Sequence, residues 1–328
     1  MGVEQDMARG DPEDGAAMRL IAARGPWCID ADTAAAVRGV YGALERGDAA
    51  IGPRAITLLT RGLRGGHARD AWERARAERA AEGQIQRLPL AVRMVRSPGS
   101  ARGVAVLPVM GLLAKSTEDV QDSDGNRIGT AYTELEAALA WAGGEASVGA
   151  VLLHVDSGGG AALGLGVVSS LIRAVRSHKV VAAYVDDVAA SAAYYLASQA
   201  EPGLLWLSPD GAVGSIGTMF VVHNTRDAAA KYGVRVEIIT SNPHKGAGFW
   251  GTDLTDLHRA DYRREAEELG AKFERDVALG RGLTPERVRE VAQSINVVYG
   301  EEAVRLGLAD GVVHGLAAAE RRLLDAVR

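Results

Sequence analysis

Residues 148–197 read VGAVLLHVDSGGGAALGLGVVSSLIRAVRSHKVVAAYVDDVAASAAYYLA. The run Val148–Val155 is apolar and rich in β-branched side chains, which predicts a buried strand. Asp156-Ser157-Gly158-Gly159-Gly160 follows it, and Ala161–Arg176 then predicts a helix. Lys179–Val185 predicts the next strand, and Ala189–Ala200 a helix of small residues. Strands alternating with helices at this spacing argue for an α/β fold with a mostly parallel sheet covered on both faces. In such folds the chemistry sits in loops at the carboxyl ends of strands. The two loops that stand out are Asp156–Gly160 and the stretch around Ser191.

Working outward, Val104–Val109 and Leu204–Leu207 predict further strands, as do Gly217–Val222 and Val234–Thr240. Helices are expected over Thr133–Trp141 and Thr225–Tyr232. From Asp253 onward the pattern is mostly helical, closing with a short strand at Gly311–Val313 and a last helix. Toward the start the character changes. Residues 1–14 are acidic and expected to be disordered. Residues 15–48 predict two short helices around Gly25-Pro26-Trp27, and 66–87 a charged, alanine-rich helix. Ser97-Pro98-Gly99-Ser100 has the composition of a loop and a boundary. The expected organisation is therefore a helical region over 15–98, an α/β domain over 99–315 and a terminal helix over 316–328.

Of the 328 residues, 47% are hydrophobic and 24% charged, enough for a sizeable core, and the net charge of −5 favours neither nucleic acid nor an acidic membrane. The arginines between Arg61 and Arg96 are interleaved with Glu73, Glu78 and Glu82, which reads as a mixed-sign helical face and not a phosphate patch. The only cysteine, Cys28, excludes an internal disulfide. The acidic N-terminus lacks the basic start and apolar run of a secretory signal, and no stretch reaches the ~18 apolar residues of a membrane span. A cytoplasmic protein, or one enclosed in an assembly formed there, is expected.

Three glycines after a strand leave backbone N–H groups bare. They suit either a phosphate or the oxyanion of an acyl-transfer reaction. Gly158, Gly160 and Gly164, with Asp186 beyond the next strand, imitate a dinucleotide fingerprint, but the glycine spacing is loose. Ser191 lies among alanines at a helix start, which suits an exposed nucleophile with the N–H of Ala192 beside it, and equally a small residue packed on a sheet. No histidine shows a triad spacing to it: His154 lies within a strand, and His223 is the best of the set. Lys245, in Ser241-Asn242-Pro243-His244-Lys245-Gly246, could serve as base if buried and neutral, or could be a solvated loop lysine; its neighbour His244 is a rival. Asp122-Ser123-Asp124-Gly125-Asn126 lacks the later glycine and glutamate of a calcium loop.

Taken in order, these segments resemble the signal peptide peptidase A family, and in particular its phage branch of head-maturation (capsid assembly) proteases. The matching residues are Asp156–Gly160, then Ala190-Ser191-Ala192-Ala193-Tyr194-Tyr195-Leu196-Ala197, then Val213-Gly214-Ser215-Ile216-Gly217. Lys245 follows, and Tyr299-Gly300-Glu301-Glu302-Ala303 and Gly307-Leu308-Ala309-Asp310-Gly311 close the series. Pro26-Trp27-Cys28-Ile29 is similar to the leader of the phage proteins. The chain departs from the family in Ala192 and Ala193 where glycines are usual, Gly158 where proline is usual, Asn242-Pro243 where glycine is more common, and Gly246 where aspartate is usual.

The resemblance implies a crotonase-like fold and a serine peptidase with a Ser–Lys dyad, Ser191 as nucleophile and Lys245 as general base. It implies an oxyanion hole from the N–H groups of Gly159 (or Gly158 or Gly160) and Ala192, with Ser215 as a supporting residue and no metal or other cofactor. It also implies a ring-shaped homo-oligomer without a membrane anchor, acting on scaffold and capsid proteins, or on its own N-terminal region, inside an assembling phage head. The other functions to weigh are a bacterial peptidase degrading signal peptides, a crotonase-fold enzyme acting on acyl-CoA, and a non-catalytic homologue.

Overall fold

The computed structural model describes residues 27–29, 90–122 and 125–326. The expectations for residues 1–26 and 30–89 lie outside these.

One mixed sheet organises the chain. Its strands are β1 (Trp27–Ile29), β2 (Arg93–Arg96), β3 (Gly103–Ala114), β4 (Gly129–Ala131), β5 (Val148–Ala161), β6 (Val180–Ala190), β7 (Leu205–Leu207), β8 (Ala212–Gly214), β9 (Val297–Tyr299) and β10 (Gly311–Val312). The main order is β10-β7-β6-β5-β3-β2. The pairs β3–β5, β5–β6, β6–β7 and β7–β10 are parallel, and β2 runs antiparallel to β3. The Ser97–Ser100 turn joins β2 to β3, so Leu90, Val92 and Met94 already belong to the core.

Helices cover both faces, as expected of a parallel sheet. One face carries α1 (Tyr132–Gly144), α2 (Leu165–Arg176), α3 (Ala192–Ala197), α5 (Asp256–Arg281) and α6 (Pro285–Ser294). Their buried side chains, among them Leu139, Ile172, Tyr194, Phe273 and Val291, pack on Val151, Leu153 and Val155. The opposite face has Val104, Val106, Ala150, Leu152, Ala182 and Tyr184, covered by Ala319, Leu323 and Leu324 of α8 (Leu316–Ala326). Two short helices, α4 (Arg226–Lys231) and α7 (Gly300–Arg305), complete the set. Among the described residues no helix is long and apolar enough to cross a membrane.

Three expectations are corrected. The glycine run is not a strand-to-helix turn: β5 continues through it to Ala161, and α2 starts only at Leu165. The strands expected at Gly217–Val222 and Val234–Thr240 do not form. Those residues are β-branched and apolar, but no named strand among the described residues pairs with them, and strand propensity without a partner does not hold a strand. They belong instead to an arm over residues 216–253 on which Ile239 is 96% exposed and Phe249 and Trp250 face solvent. The helix expected at 189–200 is shorter, because β6 extends to Ala190 and Ser191 turns the chain.

Candidate active site

Parallel pairing between β5 and β6 runs up to Ser157–Ala189. Beyond it β6 ends and the chain reverses through Ser191 into α3. Ser191 has φ 54° and ψ −120°, outside the regions open to residues bearing a Cβ without cost. Ser215, at φ 52°, is the other non-glycine residue with positive φ among those described. Such strain persists only where the surroundings fix it, and it gathers at functional sites. Here the surroundings are hydrogen bonds. The N–H of Ser191 donates to Gly214 O at 2.8 Å, and the N–H of Ser215 donates to Asn296 O at 2.5 Å. Gly214 pairs with Ala190 on one side and Val297 on the other. A Cβ on it would lie 2.5 Å from Asn296 O. β8 and β9 thus clamp the turn that carries the serine.

The exposed hydroxyl expected of Ser191 is not seen: the residue is fully buried, and its Oγ has no hydrogen-bond partner among the described residues. A buried hydroxyl without a partner is costly. The N–H of Ala192 opens α3 beside it.

The glycines lie along the other wall. Gly159 follows two residues after Ser157, the last β5 residue paired to β6, and Ser191 two residues after its partner Ala189. Ser157 Oγ donates to Gly111 O at 2.6 Å and accepts the N–H of Gly159 at 3.1 Å. The Gly159 N–H is therefore shared with Ser157, while Gly158 and Gly160 flank it. Two of these glycines are dictated by geometry. Gly159 has φ 108°, and a Cβ on Gly160 would lie 1.8 Å from Leu113 O in β3.

Ser191, Ala192, the glycine strand and the Gly214–Ser215 turn come together at the carboxyl ends of the strands. Lys245 and His244 do not join them. Lys245 is exposed on the arm, where its N–H caps a turn from Asn242 O at 3.0 Å. It borders a cavity shared with Arg226, Val236, Ile238, Asp253 and His258. His244 Nδ1 pairs with Asp261 Oδ2 on α5 at 2.5 Å.

Sequence reasoning missed a polar network one turn beyond Ser191. Tyr195 donates its hydroxyl to Asp276 of α5, and Lys272 Nζ donates to Asp276 at 2.5 Å and to the Tyr195 hydroxyl at 2.6 Å. Gln199 Nε2 adds bonds to Tyr195 O and Asp276 O, both 3.1 Å. Burial works to raise the Asp276 carboxyl, but the bonds from Lys272 and Tyr195 outweigh it and hold the carboxyl below its ordinary value. The sequence signal was the Tyr194-Tyr195 pair together with the i,i+4 spacing of Lys272 and Asp276.

Comparison with known proteins agrees with this arrangement. Residues 173–324 match peptidase family S49, a span that includes Ser191, Ser215 and Lys245. The chain is similar to capsid assembly protease C of Escherichia phage lambda, 33% identical over 223 residues, covering 68% of this chain and 49% of that protein. It is also similar to the head-tail preconnector protein GP5 of Enterobacteria phage P21, 31% identical over 65% of this chain and 41% of that protein. A putative protease of Synechocystis is 26% identical over 49% of this chain and 57% of that protein. The chain thus spans about half the length, or less, of the phage relatives it matches. Among solved structures, a ClpP1 variant from Listeria monocytogenes aligns with a TM-score of 0.40 and 10% identity, covering 65% of this chain and 94% of that one. The resemblance read from the motifs holds, and with the observed sheet order the crotonase-like α/β class stands.

Proposed function

Taking the match to peptidase family S49 as premise, we propose that this chain is a serine endopeptidase in which Ser191 is the nucleophile and Lys245 the general base. Its substrates are the scaffold and capsid proteins of a phage head. The observation that carries the reading is the Ser191 hydroxyl: buried, without a hydrogen-bond partner among the described residues, and held on a positive-φ turn where β6 leaves the glycine strand. The phage assignment is supported by similarity to a protein named capsid assembly protease and to a head-tail preconnector protein.

In the proposed mechanism, Ser191 Oγ attacks a peptide carbonyl while its proton passes to the neutral amine of Lys245. The oxyanion is held by the N–H of Ala192 and a glycine N–H, from Gly158 or Gly160, or from Gly159 if it releases Ser157. The lysine returns the proton to the leaving amine, and water then hydrolyses the acyl-enzyme. Ser215, on the second strained turn, orients the lysine.

Lys245 is exposed on an arm with exposed apolar residues, and Ser191 Oγ has no acceptor among the described residues. We therefore assign Lys245 to the site of a neighbouring copy in a closed ring. Exposed apolar patches of this kind mark interfaces.

The test is co-expression with scaffold and major capsid proteins of a phage head, read by intact mass. Shortened products with the wild type and none with Ser191→Ala are expected. Products in both would remove Ser191 from the mechanism. Assembled wild-type protein that yields no products would point to a homologue without peptidase activity on these proteins.

A further inference from the structure

The short strand β1 occupies a place that the peptidase reading reserves for substrate. β5 has two edges. β3 holds one of them as far as Gly160, through the pairs Leu112–Gly159 and Leu113–Gly160. β6 holds the other only as far as Ser157, because the chain then turns away at Ser191. Past that point the second edge is bare backbone, and an unpaired strand edge invites an extended segment to add to it. β1 does so: it runs antiparallel along β5 with Trp27 opposite Ala161, Cys28 opposite Gly160 and Ile29 opposite Gly159. With one edge filled by β3, β1 lies on the edge vacated by β6. Ile29 pairs with Gly159, two residues past the point where β5 loses β6, whose chain turns away through Ser191.

We propose that Trp27–Ile29 is a built-in occupant of the peptide groove, an intramolecular strand that must leave before a protein substrate reaches Ser191. The proposal rests on the peptidase reading above. Extended peptides are recognised by adding a strand to a sheet edge, where main-chain hydrogen bonds supply affinity with little demand on sequence. A tethered segment competes for that edge at high effective concentration. Three residues make only a marginal strand, so β1 is displaceable by a longer peptide. The latent enzyme is thereby held back until an extended substrate segment displaces its own strand.

The experiment uses the full chain carrying Trp27→Cys and Ala161→Cys in a Cys28→Ser background, with far-UV circular dichroism as the folding control. Directly opposed residues of an antiparallel pair lie within disulfide reach. Mild oxidation is expected to give one intramolecular disulfide by mass. The oxidised protein should react with a fluorophosphonate at Ser191 about tenfold more slowly than the reduced one, the locked strand excluding the reagent. Cys28→Pro, which disfavours the strand pairing, should react several-fold faster than wild type. Absence of the disulfide in folded protein, or equal labelling of oxidised and reduced forms, would overturn the proposal. If no form labels at Ser191 yet the disulfide is complete, the nucleophile assignment falls while the strand's place is upheld. In that case amide exchange at Gly160 and Ala161 decides occupancy: slow exchange in wild type that speeds up in Cys28→Pro supports it, and equal exchange overturns it.

Discussion

Ser191 carries strain that a residue without a Cβ would not feel. Strain of this kind costs on the order of 1–3 kcal/mol. Ser191→Gly is therefore expected to be more stable than Ser191→Ala by about 1 kcal/mol in urea unfolding, both lacking activity. Equal stabilities would show that the turn is relaxed. Gly160→Ala should behave in the opposite way, since its Cβ would meet the Leu113 carbonyl. A loss above about 2 kcal/mol is expected, because backbone of the central strands must shift. The serine was legible in the sequence because a motif and its small neighbours announce it. The backbone turn beneath it was not, since it depends on carbonyls of Gly214 and Asn296 brought in from distant strands. Nor was the exposure of Lys245, which follows from an arm that pairs with no named strand among the described residues.

At the level of elements, the long helix α5 is locked to the sheet by a buried ion pair. Arg281, with a side chain 3% exposed, donates two bonds to Asp310 at 2.6 and 2.9 Å, and Asp310 also accepts the N–H of Leu205 at 2.9 Å. Burial works to raise the Asp310 carboxyl, but the Arg281 bonds outweigh it and hold the carboxyl below its ordinary value. A carboxyl lowered on folding adds stability above its unfolded pKa of about 4 and loses it as pH falls through the lower folded value. Unfolding followed from pH 6 to pH 3 should show a decline that is shallower in Asp310→Asn. Arg281→Ala, which strands the carboxylate, should cost about 3–5 kcal/mol at pH 7. On α3, Tyr195→Phe removes the hydroxyl that ties the nucleophile helix to Asp276 and Lys272. We expect kcat for peptide cleavage to fall with little change in KM, and an unchanged kcat would make the network merely structural. The helices and the strands β3, β5, β6, β7 and β10 were legible from the sequence pattern, β5 and β6 most clearly, whereas β1, β2, β4, β8 and β9 were not expected. The errors fell where partners decide the outcome: β5 continued through its glycines because β3 lies against them, whereas Val234–Thr240 stayed unpaired.

On the scale of the whole molecule, a site split between copies makes a direct prediction. Mixing Ser191→Ala with Lys245→Ala chains should restore part of the activity, since some sites then receive an intact serine from one chain and an intact lysine from its neighbour. No recovery in mixed assemblies would place the lysine within its own subunit or remove it from the mechanism. One feature of the architecture reaches beyond the assembled protein. The sheet face bearing Val104, Leu152 and Tyr184 is closed only by α8, and β7 gains its outer neighbour only from β10. During synthesis, therefore, the Ser191 turn leaves the ribosome more than a hundred residues before the elements that finish the sheet supporting it. A nascent chain lacks the elements that complete that sheet, so on the proposed peptidase reading cleavage waits until residues 311–326 have emerged.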